Sequence, residues 1–402
     1  MLRQDQIATV LDAQQKSFLK KDSTLSREVL KQVPILSSFA TIISGVRRCG
    51  KSTLLLQIIK DKYENALYFN FEDLRLVGFE TSDLIRFQQE VEKRGVTVLF
   101  FDEIQLISKW EIFVHQLLRE GYTVFISGSN ASLLSKELGT HLTGRHVSME
   151  MFPFSYTEYL TFKSETANPN SLRTYLQSGG FPEFVKTGAE LILQSLMEDI
   201  LVRDIAVRHS IREVESLKQL AVYLISNVGT LVSANKLTDL FGIKSSATIL
   251  EYFAWLKDAY LIEFLPLFSY SLKVQARNPK KVYAIDTGLI SATSTAFSEN
   301  MGHKLENLIY LHLRRKSKEL YYYKEKGECD FISFNKGKAQ EAVQVCYQID
   351  DNNFKREYNG LLEALKFFKL SEGTIVTLDQ TDLFEEDGFV IKLIPAHEYL
   401  SQ

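Results

Sequence analysis

The sequence has little of what marks several protein classes. It holds only three cysteines, Cys49, Cys329 and Cys346. None lies in a CxxC pair, which argues against a structural zinc site, and three thiols in 402 residues exclude a secreted disulfide scaffold. Seven prolines and 20 glycines are too few for a collagen-like, low-complexity or disordered chain. No charge of one sign dominates: 47 basic and 50 acidic residues give a net charge of −3. That excludes a protein coating nucleic acid non-specifically but leaves room for a local basic patch. The N-terminal MLRQDQIATVLDAQQ lacks the apolar stretch of a signal peptide. The uncharged run 33–46 contains Pro, Ser and Thr and falls short of the ~20 residues that span a bilayer. The expectation is a soluble protein of a reducing cytoplasm, with no membrane partner.

What is present is ordinary globular material, 45% apolar and 24% charged. The length suits two or three domains of roughly 150 residues. Residues 1–32 read as a polar helical segment with Ile7, Val10 and Leu11 at helical spacing. From about 39, apolar strands alternate with helices: strands at 39–45, 66–71, 97–103 and 122–129, helices at 51–63 and 110–121. Runs such as VLFF and VFI are apolar on both faces, which predicts a parallel sheet covered on each side. The sheet signature stops at 151. Residues 165–171 read as a linker, 179–183 as a turn and 190–260 as helical, and 300–402 again alternates helix and strand.

Residues Gly45-Val46-Arg47-Arg48-Cys49-Gly50-Lys51-Ser52 read GxxxxGK[ST], between a predicted strand and a predicted helix. Glycines let backbone N–H groups curl around phosphate, and the helix N-terminus adds its dipole. Lys51 supplies the point charge for the β- and γ-phosphates of ATP, and Ser52, followed by Thr53, supplies a hydroxyl to Mg²⁺. A buried strand, Val98 to Phe101, ends in Asp102 and Glu103. Adjacent acids there are costly unless a cation or water network uses them. Asp102 fits Mg²⁺ coordination through water, and Glu103 fits the base acting on the attacking water. The next strand ends Ser127-Gly128-Ser129-Asn130. Ser129 or Asn130 would sense the γ-phosphate or merely cap the following helix. Arg145 is the candidate arginine finger, in cis or across an oligomer interface.

With these residues placed, the chain resembles a family of prokaryotic AAA-type ATPases that carry a C-terminal domain of unknown function, winged-helix-like and then restriction-endonuclease-like. The resemblance rests on GVRRCGKST (45–53), YFNFED (68–73), LFFDEIQ (99–105), ISGSNASLL (126–134), LTGRHVSMEMFPFSYTEYL (142–160), GGFPE (179–183), RDIAVRHSIR (203–212) and KVYAIDTGL (281–289). It implies an α/β fold: an N-terminal helical segment (1–30), a P-loop NTPase parallel sheet with flanking helices (31–163), a helical linker or lid (164–213), a winged-helix-like module (214–289) and a small α/β restriction-endonuclease-like domain (290–402). It also implies ATP binding and hydrolysis.

In the middle module, SSATILEYFAWLKDAY would be the recognition helix, and the hairpin after it a wing. Lys273, Arg277, Lys280 and Lys281 give that wing four positive charges with which to meet DNA phosphates. A solvated hairpin used for protein contacts is the other reading. In the last module, Glu306 and Asp330 occupy the acid positions of a PD-(D/E)xK nuclease core, but the ExK triplet reads Gln344-Val345-Cys346. Glu341 falls on the opposite face of that strand from Gln344. The expectation is a core without nuclease activity, Glu306 and Asp330 pairing with Lys324 or Lys326, and Cys346 acting as a buried small hydrophobe. Three functions remain: an ATPase driving conformational change on a protein or DNA partner, a slow-turnover nucleotide-dependent DNA-binding switch or scaffold, and, weakest, an ATP-linked nuclease.

Overall fold

In the computed structural model, which describes residues 1–21, 25–129, 144–293 and 300–402, the chain divides into two compact units. One is Met1–Phe152 with Asp258–Tyr260, the other Pro153–Lys257 with Leu261–Gln402.

The first unit is built on five parallel strands, β1 (Ala40–Ser44), β2 (Leu67–Asn70), β3 (Val98–Asp102), β4 (Thr123–Gly128) and β5 (His146–Glu150), in the order β2-β3-β4-β1-β5. Among the described residues, four α-helices accompany them: α1 (Gln4–Leu19), α2 (Lys51–Lys62), α3 (Asp83–Lys93) and α4 (Trp110–Arg119). Successive strand side chains face opposite ways, and both faces are buried. Ile42, Phe69, Leu99, Phe101, Val124 and Ile126 pack with Phe87, Trp110, Val114 and Leu117, while Phe100 and Phe125 stack with centroids 4.5 Å apart. The strands expected at 39–45, 66–71, 97–103 and 122–129 are therefore present within a residue or two, and β5 is an additional one.

The polar first helix does more than bury Ile7, Val10 and Leu11. Strand β2 lies at the sheet edge, and its main chain is met by α1 glutamines. Gln15 accepts from the Tyr68 N–H (2.9 Å) and donates to Ala66 O (2.8 Å). Gln14 accepts from the Asn70 N–H (2.8 Å) and donates to Asn70 O (3.0 Å).

The second unit holds two sheets among many helices. Three antiparallel strands, β6 (Leu231–Val232), β7 (Ile262–Leu265) and β8 (Lys280–Ala284), run in the order β6-β8-β7. Six strands, β9 (Glu319–Lys324), β10 (Glu328–Asn335), β11 (Lys338–Val345), β12 (Glu372–Thr377), β13 (Asp382–Glu386) and β14 (Phe389–Pro395), form a mixed sheet in the order β13-β14-β12-β11-β10-β9. The helix Phe354–Phe368 buries Leu361, Ala364 and Leu365 against it. The sequence FSYTE opens the helix Tyr156–Lys163 with a capping box: the Ser155 hydroxyl accepts from the Glu158 N–H, and the Glu158 carboxylate accepts from the Ser155 N–H, each at 3.0 Å.

Two short motifs meet in this unit. Asp286 of IDTGL is buried and accepts from the N–H groups of Gly180 (2.6 Å) and Leu289 (3.2 Å). A Cβ on Gly179 would lie 2.1 Å from Asp286 Oδ1, and one on Gly288 would lie 2.2 Å from Ser178 O, so the glycines of both motifs are required by close approach. Burial pushes the Asp286 carboxyl up to about 6 despite those N–H donors. Asp286→Ala strands two buried donors, each worth about 1–3 kcal/mol. The expected result is a loss of about 2–4 kcal/mol in denaturant unfolding followed by a probe in the second unit. A loss below about 0.5 kcal/mol would show that the clamp is dispensable.

Candidate nucleotide-binding site

Parallel strands carry their functional residues at the carboxyl ends, and the C-terminal edges of β1, β3 and β4 bring the sequence candidates together. After Ser44 the chain turns sharply. Gly45 has φ +151°, and a Cβ there would lie 2.1 Å from the Met151 carbonyl oxygen. Arg48 takes φ +62°, and Gly50 caps α2 at φ +105°. Lys51 opens α2, with Ser52 and Thr53 in the same first turn. Lys51 is 5% exposed, and its ammonium donates to the carbonyls of Gly45 and Val46, both at 3.0 Å. A loop of this shape ahead of a helix N-terminus is a cradle for phosphate. Arg47 lies 3.6 Å from Glu72. Cys49 is fully buried, and burial pushes its thiol up.

A residue that sequence reasoning missed holds this loop from behind. Arg27 is buried and donates to Cys49 O (2.7 Å) and Phe152 O (2.8 Å), while its own N–H donates to Gln57 of α2 (3.1 Å). No local pattern marks it, because its partners lie 22 and 125 residues away.

Asp102 ends β3 at 3% exposure, with both oxygens engaged. The Tyr68 hydroxyl donates to Oδ2 at 2.6 Å and the Ser127 hydroxyl donates to Oδ1. Burial and the adjacent Asp102 push the Tyr68 hydroxyl strongly up, so it stays a donor. Phe18 of α1 stacks on Tyr68, centroids 3.5 Å apart. Glu103 takes φ +54°, and its N–H donates to Ser127 O at 3.1 Å. The Gln105 amide donates to its carboxylate, and Ser129 Oγ lies 3.5 Å away. Burial raises the Glu103 carboxyl above the usual range; Lys51 opposes this and Asp102 adds to it.

Lys51, Asp102, Glu103 and Ser129 therefore share one edge of the sheet. Asn130 lies outside the described residues. Arg145 is exposed at the start of β5, where its carbonyl accepts from the Ala40 N–H at 3.0 Å. That is the opposite end of β1 from Gly45, about 15 Å of strand away at ~3.3 Å per residue. Topology thus keeps Arg145 from the loop of its own chain.

A phosphate-cradling loop after β1, a strand-end acid pair on β3 and β4 inserted between them make the first unit a P-loop NTPase core. Residues 37–160 match the AAA domain family, and 169–300 match a domain of unknown function, DUF8612. The chain is 35% identical over 409 residues to the uncharacterized protein MJ1544 of Methanocaldococcus jannaschii, spanning 95% of this chain and 90% of that one. It is 30% identical over 371 residues to an uncharacterized protein of Haemophilus influenzae, spanning 84% and 91%. The chain belongs to the family these two proteins represent, and it carries an AAA domain. Among solved structures, the S. cerevisiae Hsp104–ADP complex is similar at 14% identity and a TM-score of 0.34, covering 62% of this chain and 41% of that one. The Drosophila ORC bound to AT-rich DNA and Cdc6 is similar at 12% identity and a TM-score of 0.20, covering 71% and 92%. Among the described residues, no helix is long and apolar enough to cross a membrane.

Three expectations for the second unit need correction: where Lys281 points, which lysine meets Glu306 and Asp330, and how deeply Cys346 is buried. The expected hairpin is present as β7 and β8, which pair antiparallel, and its connection carries the helix Leu272–Arg277. Of its four cations, Lys273 and Arg277 are exposed and Lys280 is half-buried. Lys281 is 5% exposed, because β8 turns it inward onto Asp330, Glu328 and Glu306, so it does not face DNA. Glu306 and Asp330 accordingly pair with Lys281, and Lys324 pairs with Glu328 at 3.0 Å. Gln344 is buried, accepting from the Asp330 N–H (3.2 Å) and donating to Glu357 (2.5 Å). Cys346 is half-buried rather than enclosed, and burial pushes its thiol up to about 11. Glu341 accepts from the Tyr399 hydroxyl at 2.7 Å.

Proposed function

We propose that this chain binds ATP and hydrolyses it with Mg²⁺ to drive conformational change on a protein or DNA partner. The observation that carries this reading is the convergence of Lys51, Asp102 and Glu103 at one sheet edge beside a loop only glycine can form. Lys51 and the backbone of 45–53 hold the phosphates. Ser52 and Asp102 hold Mg²⁺, which would neutralise charge on the transferred phosphoryl group. Glu103, its carboxyl raised by burial, takes the proton of the attacking water. Ser129, within reach of Glu103, relays the state of the γ-phosphate. Arg145 serves only a neighbouring protomer, which makes full activity a property of an oligomer. Residues 214–289 and 290–402 act as winged-helix-like and restriction-endonuclease-like modules.

The test is Mg²⁺-dependent phosphate release, measured with and without single- and double-stranded DNA, with oligomer mass read in the same buffers. Turnover above background supports the motor reading. One slow turnover with tight nucleotide binding moves the protein to a switch. No nucleotide binding at all overturns both.

One observation favours DNA as the partner. A cavity of about 380 Å³ is lined by Lys257, Arg277 and Lys280 over Leu250, Phe253 and Phe264. Burial, and after it the facing Lys257, hold the Lys280 amine below its ordinary range, while Lys257 itself lies 3.8 Å from Glu263. Arg277→Glu with Lys280→Glu is expected to weaken DNA binding uniformly across sequences and to flatten its salt dependence by roughly two counterions. An unchanged salt slope assigns this face to protein contacts.

A further inference from the structure

Tyr270 is 86% exposed and Phe367 36%, and among the described residues no other aromatic side chain is as exposed. The two are neighbours: their ring centroids lie 6.4 Å apart at an interplanar angle of 33°. Tyr270 comes from the segment between β7 and β8, and Phe367 from the last turn of the helix Phe354–Phe368. That segment is fixed to β9, where the Phe268 N–H donates to Tyr322 O at 2.7 Å and the Tyr322 N–H donates to Pro266 O at 3.1 Å. Phe268 is wedged among Tyr321, Phe334 and Phe368, with centroids 5.7, 5.1 and 4.8 Å away. Beyond it the chain turns: the Ser271 N–H donates to Ser269 Oγ (3.1 Å) and the Gln275 amide donates to Ser269 O (2.7 Å). Tyr270 thus stands in water on a base held from below.

Open apolar surface of this kind marks a contact site, and its charged rim says which kind. Lys273 and Arg277 lie one turn apart on the helix Leu272–Arg277, which follows Tyr270, and Lys369 follows Phe367 by two residues. All three are exposed, and among the described residues none of them makes an ion pair. Glu363, one turn before Phe367, is engaged by the Gly327 N–H (2.7 Å) and the Tyr323 hydroxyl (3.3 Å). Uncompensated cations beside open aromatic faces suit a polymer that carries phosphates and flat rings together. An apolar protein anchor needs no such cations, and an intact duplex keeps its rings inside the stack.

We infer that Tyr270 and Phe367 form a stacking platform for the bases of single-stranded nucleic acid, with Lys273, Arg277 and Lys369 meeting its phosphates. The inference rests on the reading of DNA as the partner and names the form that is bound. Every base has a π-face, so such a platform tolerates any sequence. Tyr270 does not line the cavity that Arg277 and Lys280 share, which lets the two surfaces be tested apart.

The experiment uses the full-length protein at low salt and reads the fluorescence anisotropy of a labelled oligothymidylate of about 12 nucleotides and of a labelled duplex of the same length. Tyr270→Leu keeps an apolar side chain but removes the ring. It is expected to weaken oligothymidylate binding by about 5- to 100-fold and to leave duplex affinity within a factor of about two. Tyr270→Phe should bind as wild type does, since the ring is what stacks. Because Tyr270 lies almost wholly in water, neither change should move the melting temperature. Equal oligothymidylate affinity in wild type and Tyr270→Leu, or equal losses on single strand and duplex, would overturn the inference while leaving the DNA reading intact. A wild type that binds the duplex but no oligothymidylate would do the same. A wild type that binds neither would overturn both and assign the patch to protein contacts.

Discussion

Lys51→Ala is expected to lower ATP affinity by about 10²-fold or more in equilibrium binding. The ammonium sits at the mouth of α2, 3.0 Å from two loop carbonyls, and has only to turn from them to meet phosphate. A hydrogen bond to a charged group is worth about 1.5–3 kcal/mol. Loss of two such bonds predicts a decrease of at least two decades. The loop itself should survive, since Arg27 holds Cys49 and the Phe152 carbonyl independently. An unchanged melting temperature beside the lost affinity would separate lost recognition from lost folding. Normal affinity would remove the P-loop from the site.

Glu103→Gln should separate binding from turnover. The amide keeps the shape and the contact with Ser129 but cannot take a proton from water. General-base loss costs roughly 10²–10⁴ in rate, so phosphate release should fall by that factor while ATP affinity stays within a few-fold. The raised carboxyl suits the role, because a base with a pKa nearer the working pH transfers protons more effectively. Turnover within a few-fold of wild type would exclude Glu103 as the base and turn attention to Glu72, which faces Arg47 across 3.6 Å.

The candidate site was legible where chemistry and local pattern coincide. GxxxxGK[ST] needs only its strand and helix, and Asp102 and Glu103 announce themselves by ending an apolar strand. Strand β5 was not legible: HVSME is only partly buried, and nothing in its residues shows that it pairs with β1. Arg27 and Tyr68 were missed for a related reason. Each serves the site through a partner remote in sequence, and an arginine in a polar segment or a tyrosine in a strand looks like any other. The charges of the wing were misread for another reason. Counting charges along 273–281 treats every lysine as solvated, but strand alternation sends Lys281 to the face opposite Lys280, where three acids from distant segments wait. The exchange of partners between Lys281 and Lys324 follows from the same blindness to tertiary placement.

The glutamines of α1 have a consequence for how the protein stays in solution. A sheet edge carries a row of unmet amides that will accept any extended chain, and in β2 that row is filled by Gln14 and Gln15. Two side chains thus do the work of a sixth strand, while the helix that presents them cannot propagate the pairing outward. A fragment beginning after Leu19 would keep every residue of the candidate phosphate loop yet offer β2 as a template for another copy. For this sheet, the N-terminal helix is a guard against self-association as much as a piece of the core.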